Sequence, residues 1–274
     1  MPELPEVETI RRSLAVKLPN RTVTDILIRD SRLREPVNEE RLNQLICGRK
    51  VVNLSRRAKY LLIHFDGGSC LILHLGMSGR LLLLPATHPF DKHDHVIFAF
   101  DNDTELRLRD PRRFGSVAAV IEAELSEHPP LRRLGPEPLS PECTALYLFE
   151  RSRKSKKPVK NFVMDQQVVV GVGNIYASES LFLARIHPLR AAGRISYPRW
   201  QKLLSAIKRV LTAAIKQGGT TLSDFRDSNG EMGYFQVKLR AYGRAGLPCF
   251  TCGTAIRVCV LGGRSTFYCP KCQT

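Results

Sequence analysis

The sequence predicts an α+β protein of two domains: an N-terminal β-sandwich led by a helix, and a helical C-terminal domain that ends in a four-cysteine zinc-finger hairpin. Three observations predict it. The chain has 274 residues, more than one domain usually holds. Short apolar runs broken by turn residues fill the first half, and helical spacing fills the second. Near the end stand two Cys-x2-Cys pairs.

From Pro5 to Leu18 the residues Val7, Ile10, Leu14 and Leu18 recur at helical spacing. Pro5 suits a first turn, Glu6 and Glu8 favour the positive helix start, and Pro19 ends the run. Strands follow at Val23–Ile28, Val51–Leu54, Tyr60–Phe65, Cys70–Leu75, Leu81–Leu84, Val96–Phe100, Glu105–Leu108 and Val117–Ile121, with a second short helix at Asn38–Cys47. Many short strands with little helix between them favour a sandwich or barrel. Glu127–Pro141 carries five prolines, too many for a regular element, and reads as a linker. Beyond it, Ile175–Arg185 and Pro198–Lys216 read as helices, the second stopped by Gly218-Gly219. The expected organisation is a sandwich over 1–126, a linker over 127–150, a helical domain over 151–235 and a zinc finger over 236–274.

Residues 1–150 hold 21 Lys+Arg and 21 Asp+Glu, whereas residues 151–274 hold 21 against 5, so the second part carries the whole net charge of +16. Such asymmetry points to a polyanion, nucleic acid before an anionic membrane, with a merely soluble basic surface as the plain alternative. The basic run Arg151–Lys160 adds little, since charge runs are usually solvated faces. No apolar run is long enough to span a bilayer, and Glu3, Glu6 and Glu8 are the wrong charge for a signal peptide. The cytoplasm is the expected location.

Cys249-x2-Cys252 and Cys269-x2-Cys272, separated by 16 residues, have the spacing of a structural Zn2+ site with no open ligand position. Two disulfides or a redox site are the alternative, disfavoured in a reducing compartment. Cys47, Cys70, Cys143 and Cys259 are scattered and read as small buried hydrophobes, Cys259 within the zinc segment being a spare thiol. Arg257 and Arg264 lie on the hairpin, either as solvated charge or as phosphate contacts.

At the other end the chain reads Met1-Pro2-Glu3-Leu4-Pro5-Glu6-Val7-Glu8. Proline at position 2 favours removal of Met1, which exposes a secondary amine. With a pKa near ~7.8, roughly a quarter of such an amine is neutral at about pH 7.4, against about one lysine in a thousand. A neutral secondary amine can attack a sugar carbon and yield a cationic iminium, an electron sink for elimination. Glu3 stands ready as general acid and Glu6 as an orienting group. By themselves the same residues also describe an acidic helix start.

The octapeptide Pro2–Thr9 resembles the N-terminal signature of the formamidopyrimidine-DNA glycosylases. Five further segments match that family in order: Arg57–Tyr60, His74–Gly79, Asp110–Gly115, Gly171–Ala177 and Gln217–Thr221, followed by the zinc segment through Gln273. The resemblance implies a β-sandwich carrying the proline helix, a helix-two-turn-helix domain and a zinc finger, with DNA in the cleft between the domains. It implies Pro2 as nucleophile, Glu3 as proton donor, Lys59 as an assisting donor, and Arg264 gripping the backbone from the hairpin. Asn174 would bind phosphate, although it also reads as a helix N-cap, and Lys160 is a further phosphate candidate. A glycosylase must extrude its target nucleotide, and the resemblance has Met77, Arg112 and Phe114 fill the gap. Without it, Met77 and Phe114 read as core. His74, Arg113 and Tyr242 join the implied DNA contacts, and a loop over 218–234 would close on the lesion.

The expected activity is removal of 8-oxoguanine and formamidopyrimidines from duplex DNA, followed by β,δ-elimination, by a monomer with one structural zinc. The rivals are an endonuclease VIII-like enzyme for oxidised pyrimidines and a zinc-ribbon protein that only binds DNA.

Overall fold

The computed structural model describes residues 2–218 and 239–274, in two compact units, one built on residues 2–132 and the other on 133–217 with 239–274. In the first unit, helix α1 (Leu4–Lys17) buries Leu4, Val7, Ile10 and Leu14 on one face. Each such side chain contributes about 2 kcal/mol of gross hydrophobic stabilisation. The helix packs on two strands, β2 (Val51–Arg57) and β3 (Tyr60–Phe65).

Strands β1 (Val23–Ile28), β6 (Asp94–Phe100), β7 (Thr104–Arg109) and β5 (Arg80–Pro85) form one antiparallel sheet in the order β1-β6-β7-β5. β2, β3, β4 (Ser69–His74) and β8 (Ser116–Ile121) form the other in sequence order. One core joins them: Val23, Phe98 and Leu106 from the first sheet meet Leu61, Leu73 and Val117 from the second. That shared core makes the unit a sandwich. Helix α2 (Glu39–Ile46) packs against β4 and β8, and Asn38 caps it by accepting from the Arg41 amide at 2.9 Å.

The second unit is helical: α3 (Ala145–Ser152), α4 (Val159–Val163), α5 (Asn174–Leu183) and α6 (Tyr197–Lys216). α3 begins inside the stretch read as linker and runs two residues past its end. The apolar stripe of α6 expected from sequence is buried at Trp200, Leu203, Ile207, Leu211 and Ala214, around which α3 and α5 pack. The zinc-finger hairpin pairs β9 (Arg257–Leu261) with β10 (Arg264–Tyr268) through a two-residue turn, Gly262-Gly263, with φ of 56° and 70°. A two-residue turn of this kind needs positive φ at both positions, which glycine adopts without steric cost. Among the described residues no helix is long and apolar enough to cross a membrane.

Candidate active site and nucleic-acid interface

The proline-led helix begins one residue earlier than its spacing suggested, because the first turn is closed by acids. Glu3 occupies the N-cap, and the Glu6 carboxylate accepts from the Glu3 backbone N–H at 2.9 Å, the returning arm of a capping box. Both side chains are buried, at 2% and 3% exposure, and the helix dipole favours negative charge there. Pro2 is half-buried beside them. Glu6 thus holds the backbone at Glu3, next to Pro2.

Lys59 is also largely buried and sits in the two-residue turn between β2 and β3, where Arg57 and Tyr60 are the last pair. Its neighbour Ala58 is buried in the left-handed region at φ 54°. Beside this turn His74 stacks on Tyr60, with ring centroids 4.7 Å apart, and its Nδ1 accepts from the Gly76 N–H at 3.1 Å. Burial, with help from the charges of Arg34 and Lys59, holds the His74 pKa down at about 4. The ring is neutral at physiological pH and its Nδ1 is engaged as acceptor, which leaves Nε2–H as the ring's donor.

Met77 and Phe114 are not core. They stand 42% and 44% exposed on two adjacent loops, and the Arg112 guanidinium lies 4.8 Å from the Phe114 ring centroid. The loops are packed backbone to backbone, since a Cβ at Gly76 would collide with the Phe114 carbonyl group. Asp110, fully buried, ties them together. It accepts from the Ser78 hydroxyl at 2.7 Å, the Arg112 amide at 3.3 Å and the Gly115 amide at 2.7 Å. Two large apolar side chains and a guanidinium are thereby held toward solvent on a rigid base. Arg113 points elsewhere: it is left-handed, at φ 57°, and its guanidinium pairs with Asp30 at 2.7 Å.

In the second unit Lys160 is 1% exposed. Its Nζ donates to Asn174 Oδ1 at 2.5 Å, the Thr266 hydroxyl at 2.7 Å and the Ser265 carbonyl at 3.2 Å. Asn174 Nδ2 donates to the same carbonyl at 3.1 Å. Asn174 is therefore no N-cap: Gly173 takes that position, and the Asn174 side chain is turned to Lys160 and the hairpin. Arg264, exposed at the hairpin turn, is adjacent to Ser265.

Tyr242 is set by Glu179, whose carboxylate accepts from the amides of Arg240, Ala241 and Tyr242, each at 2.8 Å. The Tyr242 ring packs edge-on against Phe267, with centroids 5.0 Å apart. Sequence reasoning missed Asp110, Glu179 and Gln273 as positioning groups. Gln273 is buried, accepts from the Cys269 amide and donates to the Ile186 carbonyl, both at 2.9 Å, which fastens the zinc hairpin to the end of α5. For Asp110 and Gln273 the signal was an acid or amide inside a motif otherwise rich in bases or cysteines; for Glu179 the sequence carried none. The loop expected over 218–234 lies, except for Gly218, outside the described residues, as does Met1.

The Sγ atoms of Cys249, Cys252, Cys269 and Cys272 all lie within 4.8 Å of one another. Four thiolates at a Zn–S distance of about 2.3 Å would stand roughly 3.8 Å apart, so the cluster needs only slight contraction to hold the ion. Four sulfur ligands leave no open position, and the zinc is structural.

A buried acid pair behind a proline, together with exposed apolar loop residues and a four-cysteine hairpin, defines the class as a DNA glycosylase. The first 117 residues match the model of the formamidopyrimidine-DNA glycosylase N-terminal domain, residues 134–226 that of its H2TH domain, and residues 246–274 that of the zinc finger found in FPG and IleRS. The formamidopyrimidine-DNA glycosylases of Acidithiobacillus ferrooxidans and Hahella chejuensis are 52% and 50% identical to the chain over 273 residues, covering 100% of both proteins in each case. The MutM (FPG) protein of Thermus thermophilus is 40% identical, with a TM-score of 0.87 over 99% of this chain and 98% of that one. Lactococcus lactis Fpg in complex with abasic-site DNA is 33% identical, with a TM-score of 0.90 over 99% of each chain. The chain belongs to the formamidopyrimidine-DNA glycosylase family, whose members are glycosylases and lyases of base excision repair.

Proposed function

We propose that this chain excises oxidised purines, 8-oxoguanine and formamidopyrimidines, from duplex DNA with the Pro2 amine as nucleophile. The observation that carries the reading is the placement of Pro2 directly before a helix start that buries Glu3 and Glu6. Once Met1 is removed, the Pro2 nitrogen bonds to C1′ of the flipped nucleotide, the glycosidic bond breaks and the base leaves with its electron pair. Glu3 protonates the opening sugar oxygen. The resulting iminium accepts electrons as a C2′ proton is lost and the C3′–O bond breaks. A second elimination breaks C5′–O, leaving a one-nucleotide gap. Lys59 assists from its buried turn, and Arg264 steadies the phosphate being expelled.

On the binding side, Asn174 and Arg264 hold the phosphate backbone, and His74 and Tyr242 add neutral hydrogen bonds. Met77, Arg112 and Phe114 occupy the vacated stack. Lys160 acts by fixing Asn174 and the hairpin rather than by touching phosphate, and Arg113 steadies its own turn through Asp30. The protein works as a monomer in the cytoplasm, and the loop over 218–234 closes on the lesion.

Single-turnover release from duplexes carrying either 8-oxoguanine or an oxidised pyrimidine tests the substrate assignment. Faster release of 8-oxoguanine supports it. Faster release of the pyrimidine overturns it in favour of an endonuclease VIII-like specificity.

A further inference from the structure

We propose that Arg56 and Glu8 form a strut that aims Lys59, which makes Arg56 a positioning residue for the reaction; the inference rests on the reading of Lys59 given above. The turn that carries Lys59 has only two residues, and Ala58 adopts φ 54° inside it. A left-handed backbone brings a Cβ too close to the following carbonyl oxygen and is costly for any residue but glycine. Such a residue persists where its surroundings over-determine it.

Arg56 supplies that determination. One of its terminal nitrogens, Nη1, donates to the Ala58 carbonyl at 2.8 Å, and its Nε donates to Glu8 Oε2 at 3.3 Å. The Ala58 carbonyl belongs to the peptide plane that leads into Lys59, so holding this oxygen sets the direction in which the Lys59 side chain departs. Lys59 is 9% exposed, so a rotated plane would meet packed atoms rather than water.

Glu8 is anchored just as firmly. It accepts from Arg11 at 2.8 and 3.0 Å and from Arg12 at 2.8 Å. Arg11 reaches on to the Leu54 carbonyl of β2 at 3.4 Å. Burial raises the Glu8 pKa, but hydrogen bonds from Arg11 and Arg12 and the nearby charges of Arg11 and Arg56 overcome it and bring the value from 4.5 to about 2. The strut is therefore ionised throughout the working pH range. Glu8 lies on the same helix that presents Pro2 and Glu3, two residues beyond Glu6. One chain of bonds thus couples the helix carrying the nucleophile to the turn carrying the assisting lysine.

A double-mutant cycle with Arg56→Met and Lys59→Met, read by single-turnover cleavage of an 8-oxoguanine duplex, tests the strut. Misplacing a group by about 1 Å can cost up to a hundredfold in rate. Arg56→Met is expected to slow cleavage on the order of tenfold, chiefly in the single-turnover rate at saturating enzyme rather than in the half-saturating concentration, and to slow the Lys59→Met enzyme no further. Arg56→Lys, which can still donate to the Ala58 carbonyl, is expected to recover part of the rate. Should Arg56→Met fold poorly, Glu8→Gln replaces it in the cycle, since it weakens the anchor while keeping the shape. Equal slowing by Arg56→Met in both backgrounds, with Lys59→Met itself slow, overturns the strut alone. Full activity in Lys59→Met overturns the role of Lys59, and the strut with it.

Discussion

Replacing Lys160 by Met separates a brace from a phosphate contact. The ammonium donates hydrogen bonds to Asn174, Thr266 and Ser265. Hydrogen bonds that involve a charged group are worth about 1.5–3 kcal/mol each, but burying an uncompensated ammonium costs several kcal/mol. Met recovers the packing of the stem and escapes that desolvation, yet takes the donor from Asn174 Oδ1 and the Thr266 hydroxyl, while the Ser265 carbonyl keeps the Asn174 Nδ2 donor. The net expectation is a loss of about 3 kcal/mol, or roughly 10 °C in Tm. Asn174 then loses its orienting partner, and affinity for a duplex with a stable abasic analogue falls on the order of tenfold.

The salt dependence of that affinity decides the matter. Each phosphate neutralised by a cation contributes about 0.9 to the slope of log K against log salt for duplex DNA. For Lys160→Met the slope should match the parent, because the ammonium is buried on protein acceptors. Arg264→Met, altering an exposed residue, should lower the slope by about 0.9 and leave Tm unchanged. A Lys160→Met protein with parental Tm and a slope lower by about 0.9 would refute the brace.

Asp110→Asn preserves shape but turns a donor toward groups that need an acceptor. It should cost about 3 kcal/mol, seen as a Tm drop of several degrees, and weaken lesion-duplex binding; an unchanged Tm rejects the role of Asp110 as the tie between the Met77 and Phe114 loops. His74 titrates near 4 in the fold and 6.5 in the free side chain, so the unfolded chain takes up its proton first as pH falls. Its contribution to stability is complete above about pH 6.5 and is lost between there and about 4, and His74→Gln should flatten the Tm–pH curve in that window. An unaltered curve would show His74 to be less buried than the structure has it. Stripping the metal with a chelator should release one zinc per chain and abolish DNA binding together with the order of the Arg264 hairpin. Binding that survives complete zinc removal, measured by atomic absorption, contradicts a structural role.

The sandwich was legible in the sequence because its strands alternate with turn residues. Val23–Ile28 and Tyr60–Phe65 stand where their patterns place them, and the other six are shifted or extended by one to three residues. The stripe of α6 was equally plain, since Trp200 through Ala214 keeps one apolar face over the whole helix. α3 and α4 escaped notice because they are short and border the basic run Arg151–Lys160, where charge hides the buried Leu148 and Val159. Without the family resemblance Met77 and Phe114 read as core, whereas their apolar side chains stand exposed on loops. What one dimension cannot display is convergence. Lys160 meets a carbonyl 105 positions away, and Glu8 meets Arg56 across 48. Positioning of this kind arises from packing, so Asp110, Glu179 and Arg56 became visible as functional only when their partners did.

The central claim is that the Pro2 nitrogen forms the covalent link to DNA. Borohydride reduction during turnover on an 8-oxoguanine duplex, followed by mass mapping of the digested adduct, tests it most directly, with Pro2→Gly alongside. A stable adduct on the N-terminal peptide, at the Pro2 nitrogen, is expected, with trapping much reduced in the variant. An adduct mapped to Lys59 or another lysine, or trapping that stays at the parental level in Pro2→Gly and maps away from the N-terminus, would contradict it.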